Sequence, residues 1–168
     1  MKLLLKSTLA ILVFLITVTV TAQSKVAHID SQQLISEMPE VVNAQKELER
    51  IQKTYTTEIE SSIKEYQTKF QTYTADAENQ TEVTNAARQK ELVGMEQNIN
   101  QFRETAGQDI QKKQAELMRP LIDKARAAIQ KIAKQQGFDY VLDAAPGGSV
   151  IMAEGKDLMA DVKKELGF

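Results

Sequence analysis

The sequence predicts an α+β protein, mostly α, in which a long helical hairpin extends from a small β-rich body. No Gly or Pro interrupts residues 40–93, where polar helix-forming residues dominate. Beyond residue 22, strand-like runs occur only near the two ends of the chain, in "KVAHID" and in "FDYVLDAAPGGSVIMAE". Aromatic residues make up only 5% of the chain and Trp is absent. This composition favours an extended protein over one with a large compact core.

Residues 1–22 predict a signal peptide that is cleaved after Ala22. Lys2 and Lys6 form a basic region, an apolar run follows, and small residues precede the expected cleavage point. The alternative is a retained membrane anchor, but the uncharged run from Ser7 to Ala22 has only 16 residues, and a spanning helix needs about 20. Because the chain has no Cys, it forms no disulfide and carries no lipid on an N-terminal Cys. We therefore expect a soluble protein of a bacterial envelope.

The charge balance excludes a generally basic surface. The whole chain has a formal net charge of −2, and removing the predicted signal takes away two lysines and no acid, which leaves −4. Such a chain has no global positive field to attract nucleic acid or anionic lipid.

A short strand that runs directly into a helix is predicted at residues 25–30. Ala27 and Ile29 fall on one face of this strand. Asp30 or Ser31 can then cap the helix, because either side chain can accept hydrogen bonds from the free N–H groups of the first turn.

Pro39 marks the start of the predicted arm, where it either kinks the preceding helix or occupies the first turn of a new one. We assign residues 39–136 to the helical arm and residues 23–38 and 137–168 to the β-rich body. Pro120 is expected to bend the returning helix, and Gly137 is expected to end it.

Two apolar seams run along the arm with steps of three or four residues, as in a coiled coil. The first seam contains Ile51, Tyr55, Ile59, Ile63, Tyr66, Phe70 and Tyr73, and the second begins with Leu92, Met95, Ile99, Phe102, Ala106 and Ile110. One straight helix would be about 145 Å long and would separate the strands, which need each other for stability. The chain must therefore fold back, and the Thr-, Asn- and Asp-rich segment near 76–84 is the expected turn.

The C-terminal part predicts two short strands followed by a helix. "FDYVLDAA" and "SVIMAE" flank a Pro-Gly-Gly turn, and Asp157 is expected to open the last helix. That helix has Leu158, Val162 and Leu166 on one face. So small a sheet has open edges that need a partner, and other copies of the chain can supply one.

The chain resembles the Skp/OmpH family of periplasmic chaperones in segments along essentially the whole mature length. These segments are "KVAHIDSQQLISEMPE", "LMRPLIDKARAAIQKIAKQQGFDYVLD", "GGSVIMAEG" and "DLMADVKKELG". The resemblance implies a homotrimer in which three subunits share a small β-barrel body and three helical arms surround a cavity. The residues expected in this trimer body are Val26, Ile29, Tyr140, Leu142, Val150 and Ile151.

No pattern in the sequence predicts an enzyme, a cofactor or a metal site. The Gly147-Gly148-Ser149 turn lacks the spacing of a P-loop and of a nucleophile elbow. His28 is the only histidine and there is no Cys to accompany it, so we expect His28 to be an ordinary strand residue.

The resemblance implies an ATP-independent holdase that binds unfolded outer-membrane proteins and prevents their aggregation before insertion. The seam aromatics either pack the two helices together or, near the end of the arm, contact the client. The candidates for client contact are Phe70, Tyr73, Met95 and Phe102.

The distal arm departs from the positively charged arms that the resemblance implies. Residues 76–134 carry nine acids and ten bases, so binding of lipopolysaccharide or membrane is not expected. The alternative function is a structural coiled-coil scaffold or spacer of the cell envelope.

Overall fold

The computed structural model describes residues 24–168, so the predicted signal peptide lies outside the described residues. The elements in chain order are strand β1 (Val26–Ile29), helices α1 (Ser31–Glu37), α2 (Pro39–Ala75) and α3 (Glu82–Gln135), strands β2 (Tyr140–Asp143) and β3 (Lys156–Asp157), and helix α4 (Met159–Leu166). A single 3₁₀ turn at Ala77–Asn79 lies between α2 and α3. The predicted fold class, a mostly helical α+β protein with a long helical hairpin, is confirmed.

Local sequence signals determine where the helices begin. The Asp30 carboxylate caps α1 by accepting a hydrogen bond from the backbone N–H of Gln33 at 2.8 Å. Pro39 begins a new helix, α2, at a position where the missing N–H costs nothing. Thr81 caps α3 by accepting from the Thr84 N–H at 3.1 Å, and α3 continues through Pro120.

Gly137 ends α3 in the left-handed conformation, with φ of +71°. Its N–H donates to the Lys134 carbonyl, and the N–H of Phe138 donates to the Ala133 carbonyl. This is the Schellman arrangement, which only a residue without a Cβ adopts at low cost. The chain therefore leaves α3 abruptly and enters β2 three residues later.

The sheet has the order β2-β1-β3, with β1 in the centre and parallel to both neighbours. The helical hairpin acts as the crossover that brings β2 back beside β1 in the same direction. The prediction that "SVIMAE" forms a strand is wrong within one chain, as is the prediction of two strands around a tight turn. Residues 149–154 pair with no strand of their own chain, and Ile151 is 100% exposed.

The prediction that Asp157 opens the last helix is not met in that form, because Leu158 and not Asp157 occupies the capping position. Asp157 lies in β3, and its carboxylate accepts a hydrogen bond from the Met159 N–H at 2.9 Å as α4 begins.

The hydrophobic core lies in the body and extends only into the base of the arm. It is formed by β1, α1, the base of α2, the end of α3 and α4, and its least exposed large side chains are Ile29, Leu34, Met38, Val41, Leu158 and Val162. In the described part of the arm beyond Ala44 and before Ala125, Ala106 is the only buried hydrophobic residue. The arm is thus a two-helix layer with almost no interior of its own.

Candidate functional site

An aromatic contact and a hydrogen bond join the two helices in the middle of the arm. The Tyr55 ring on α2 meets the Phe102 ring on α3 edge to face, with 5.8 Å between centroids. The Tyr55 hydroxyl donates to the Asp109 carboxylate at 2.8 Å, which raises the pKa of Tyr55. Phe102 is therefore committed to packing the two helices against each other.

A polar network joins the two helices nearer the turn. The Glu91 carboxylate on α3 accepts from the Lys69 ammonium at 2.5 Å and from the Tyr73 hydroxyl at 2.7 Å. The bond from Lys69, and to a smaller extent that from Tyr73, lowers the pKa of Glu91. The Arg88 guanidinium lies 4.8 Å from the centroid of the Tyr73 ring and bonds to Asp76 at 3.0 Å. The network fixes Tyr73 in place.

Two shallow grooves flank the seam of the arm on opposite sides. We call the first the methionine groove; it is lined by Ser62, Glu65, Lys69, Met95, Asn98, Ile99 and Phe102. We call the second the aromatic groove; it is lined by Ile63, Tyr66, Gln67, Glu96, Ile99, Asn100 and Arg103. Ile99 lines both grooves, as expected for a residue of the seam between them.

The structure separates the four predicted client-contact residues. Met95 and Phe102 lie in the methionine groove, whereas Phe70 stacks on Tyr66 of the aromatic groove, with 6.2 Å between ring centroids. Phe70 is 49% exposed. Tyr73 belongs to the polar network instead.

The residues predicted to contact the client did not include Tyr66, although Tyr66 belongs to the apolar seam from which the others were chosen. The spacing of four residues already places Tyr66 and Phe70 on one face of α2. That Phe102 lies in the other groove depends on how the two helices meet, which no local pattern indicates.

The residues predicted for the trimer body lie in three environments. Val26, Tyr140 and Leu142 are exposed on the face of the sheet that points away from the helices, and Tyr140 is 61% exposed. Ile29 points to the opposite face and belongs to the core of its own chain. Val150 and Ile151 lie in the unpaired segment between β2 and β3. One chain therefore leaves an apolar sheet face and an apolar loop uncovered.

Asp143 fixes the end of β2 against the start of α1. Its carboxylate accepts from both the N–H and the hydroxyl of Ser31, at 3.1 and 2.5 Å. The hydroxyl bond is the main cause that lowers the pKa of Asp143. A groove between α1, α3 and β2 opens beside this junction and is lined mainly by apolar residues, including Ile122, Ile129 and Phe138.

No group of three or more His, Cys, Asp or Glu side chains in residues 24–168 is placed to hold a metal ion. Within that same range, no helix combines the length and apolar character needed to cross a bilayer. The Nε2–H of His28 donates a hydrogen bond to the Gly155 carbonyl oxygen, with 3.1 Å between the two atoms.

Comparisons with known proteins agree with one another. Residues 25–166 match the family model described as outer membrane protein (OmpH-like). A protein named chaperone protein Skp from Pectobacterium atrosepticum is 23% identical over 155 residues, which cover 92% of this chain and 93% of that protein. A protein of the same name from Yersinia enterocolitica is 24% identical over 144 residues, with 85% and 86% covered.

A solved structure shares the fold. The crystal structure of an OmpH-like protein from Caulobacter crescentus superposes with a TM-score of 0.77 and covers 86% of this chain and 85% of that one. Its sequence identity is 12%, so this likeness concerns the fold alone.

Proposed function

Because this chain belongs to the OmpH-like outer membrane protein family, we propose that it is a periplasmic chaperone that binds unfolded outer-membrane proteins without ATP. It keeps them from aggregating until they insert. The observation that carries the proposal is the arm itself, a two-helix layer in which aromatic side chains remain partly exposed beside shallow grooves. The name of the relatives from Pectobacterium atrosepticum and Yersinia enterocolitica, chaperone protein Skp, supports it.

The proposed mechanism is retention by many weak contacts. The grooves of the arm are open and shallow, and they have no enclosed pocket for one rigid ligand. Several such contacts acting together hold a long unfolded chain, whereas each alone releases quickly. A promiscuous surface of this kind suits clients of different sequence.

The proposal includes a homotrimer that shares its body. In one chain, the outer face of the sheet exposes Val26, Tyr140 and Leu142, and the adjoining loop exposes Ile151 and Met152. Apolar surface of this kind is favourable to bury, and both outer strands of the small sheet have an unpaired edge. Other copies of the chain would cover these surfaces and gather the arms around a common space.

Light scattering tests the chaperone function. An unfolded outer-membrane barrel protein is diluted from denaturant into the purified mature chain, without nucleotide and with at least a threefold excess of subunits. We expect scattering to fall strongly relative to buffer. Since residues 76–134 are nearly balanced in charge, we expect suppression to change little as salt is raised. Unchanged aggregation would reject the chaperone function, and suppression only at low salt would reject the proposed contact chemistry.

A further inference from the structure

The two grooves of the arm differ in how their polar groups are occupied. In the methionine groove, the Lys69 ammonium is bonded to Glu91 at 2.5 Å and lies 3.6 Å from Glu65. A client that entered this groove would have to compete with these ion pairs, of which Lys69–Glu91 joins the two helices. Phe102 in the same groove is already in contact with Tyr55.

The polar side chains of the aromatic groove are bonded less to other side chains of the protein. Among the described residues, neither Glu96 nor Arg103 forms an ion pair, and Gln67 makes no side-chain hydrogen bond. Arg103 makes only a long contact with Asn100, at 3.4 Å. Amide and guanidinium groups with free capacity can bond to the backbone of an unfolded chain.

Apolar side chains are also more exposed on the side of the arm that carries the aromatic groove, which we call the aromatic side. Phe70 is 49% exposed and stacks on Tyr66, so the two rings present one continuous surface beside the groove. Stacked rings offer large contact area at small entropic cost, because each side chain has few rotatable bonds.

We propose that the client lies on the side of the arm that carries the aromatic groove, over Tyr66 and Phe70. The inference rests on the proposed function and names the contact surface within it. The occupant is an extended segment of alternating apolar and polar residues, the pattern of outer-membrane β-strands. Its apolar side chains contact the two rings, while its backbone and polar side chains meet Gln67, Asn100 and Arg103.

Site-specific photo-crosslinking tests the proposal on the full mature chain. p-Benzoylphenylalanine is placed at Gln67 in the aromatic groove or at Asn98 in the methionine groove, two exposed polar positions at similar heights on the arm. An unfolded outer-membrane barrel protein is the probe. We expect crosslinks to the client from position 67 and few from position 98. Equal crosslinking from both, or a preference for position 98, would overturn the proposal.

Two further readouts distinguish the remaining outcomes. If position 67 crosslinks to a second copy of the chain in the absence of client, this side is a subunit contact and the proposal is wrong. If aggregation is suppressed but the client crosslinks from position 98, the function stands and the assigned side fails. If neither suppression nor crosslinking occurs, the proposed function fails, and the assignment fails with it.

Matched substitutions provide a second test. Phe70→Gln should speed release of bound client about fivefold, because an exposed aromatic contact is lost. Met95→Gln, on the opposite side of the arm, should leave release nearly unchanged. The reverse order of these effects would contradict the proposal, and circular dichroism checks that both variants remain helical.

Discussion

Individual polar residues hold the arm together where no apolar core exists. Glu91 receives Lys69 and Tyr73 from the facing helix, and Asp76 receives Arg88 across the turn. Both carboxylates have a lowered pKa, for Glu91 mainly because of Lys69 and for Asp76 mainly because of Arg88. These bonds are exposed, so each contributes little alone. Their value lies in fixing how the two helices meet.

The Glu91→Gln variant should loosen the end of the arm at neutral pH. A carboxylate whose pKa is lowered on folding stabilises the fold above its unfolded pKa, and that contribution is lost as pH falls through the folded pKa. For Glu91 the folded pKa lies below the ordinary 4.5. Amide hydrogen exchange over residues 66–75 should therefore be faster in the variant than in wild type at pH 7. The difference should shrink below pH 4.5, and a difference that persists or grows there would contradict this role.

At the level of the helices and strands, much of the fold could be predicted and the pairing of the strands could not. The helices follow from local signals: an uninterrupted polar stretch, Pro39 at the start of α2 and Gly137 after α3. The sequence "SVIMAE" has strand-forming residues but no partner in its own chain, because strand formation depends on neighbours and not on the segment alone. The contact of Tyr55 with Asp109 joins residues 54 positions apart, and no local pattern announces it.

Two glycines, one within α3 and one in the left-handed conformation after it, test how α3 is built and how it ends. Gly94 lies within α3, and a Cβ added there meets no atom within 4 Å. Gly94→Ala should therefore stabilise the protein by about 0.5–1 kcal/mol. Gly137 has φ of +71°, so Gly137→Ala should destabilise it by roughly 1–2 kcal/mol. Thermal unfolding at one fixed protein concentration measures both, and a stabilising Gly137→Ala would refute the Schellman end of α3.

The whole molecule consists of a packed body and a thin arm. The large buried side chains belong to the body and to the base of the arm, whereas the described arm beyond its base buries only Ala106. Few buried contacts mean that the arm opens locally at low cost, and we propose that it thereby adapts to clients of different size. The body of one chain still exposes apolar sheet and loop surface, and we propose that assembly covers it.

Sedimentation velocity tests the assembly with a matched pair of variants. Wild type should sediment as a trimer. Leu142→Asp places a charge on the exposed face of the sheet and should give smaller species, because an unpaired buried charge is costly. Val83→Asp places the same charge on α3 near the turn of the arm, where Val83 is 81% exposed, and should remain a trimer. A stable folded monomer of the wild-type chain would contradict the shared body.

The most direct measurement of the central claim follows the client itself. An unfolded outer-membrane barrel protein is diluted into the mature chain without nucleotide, and the mixture is analysed by analytical ultracentrifugation with the client labelled. The account predicts that labelled client sediments in a soluble complex with the chaperone assembly and that it remains unfolded by circular dichroism. Client that aggregates and pellets as completely as it does in buffer alone would contradict it.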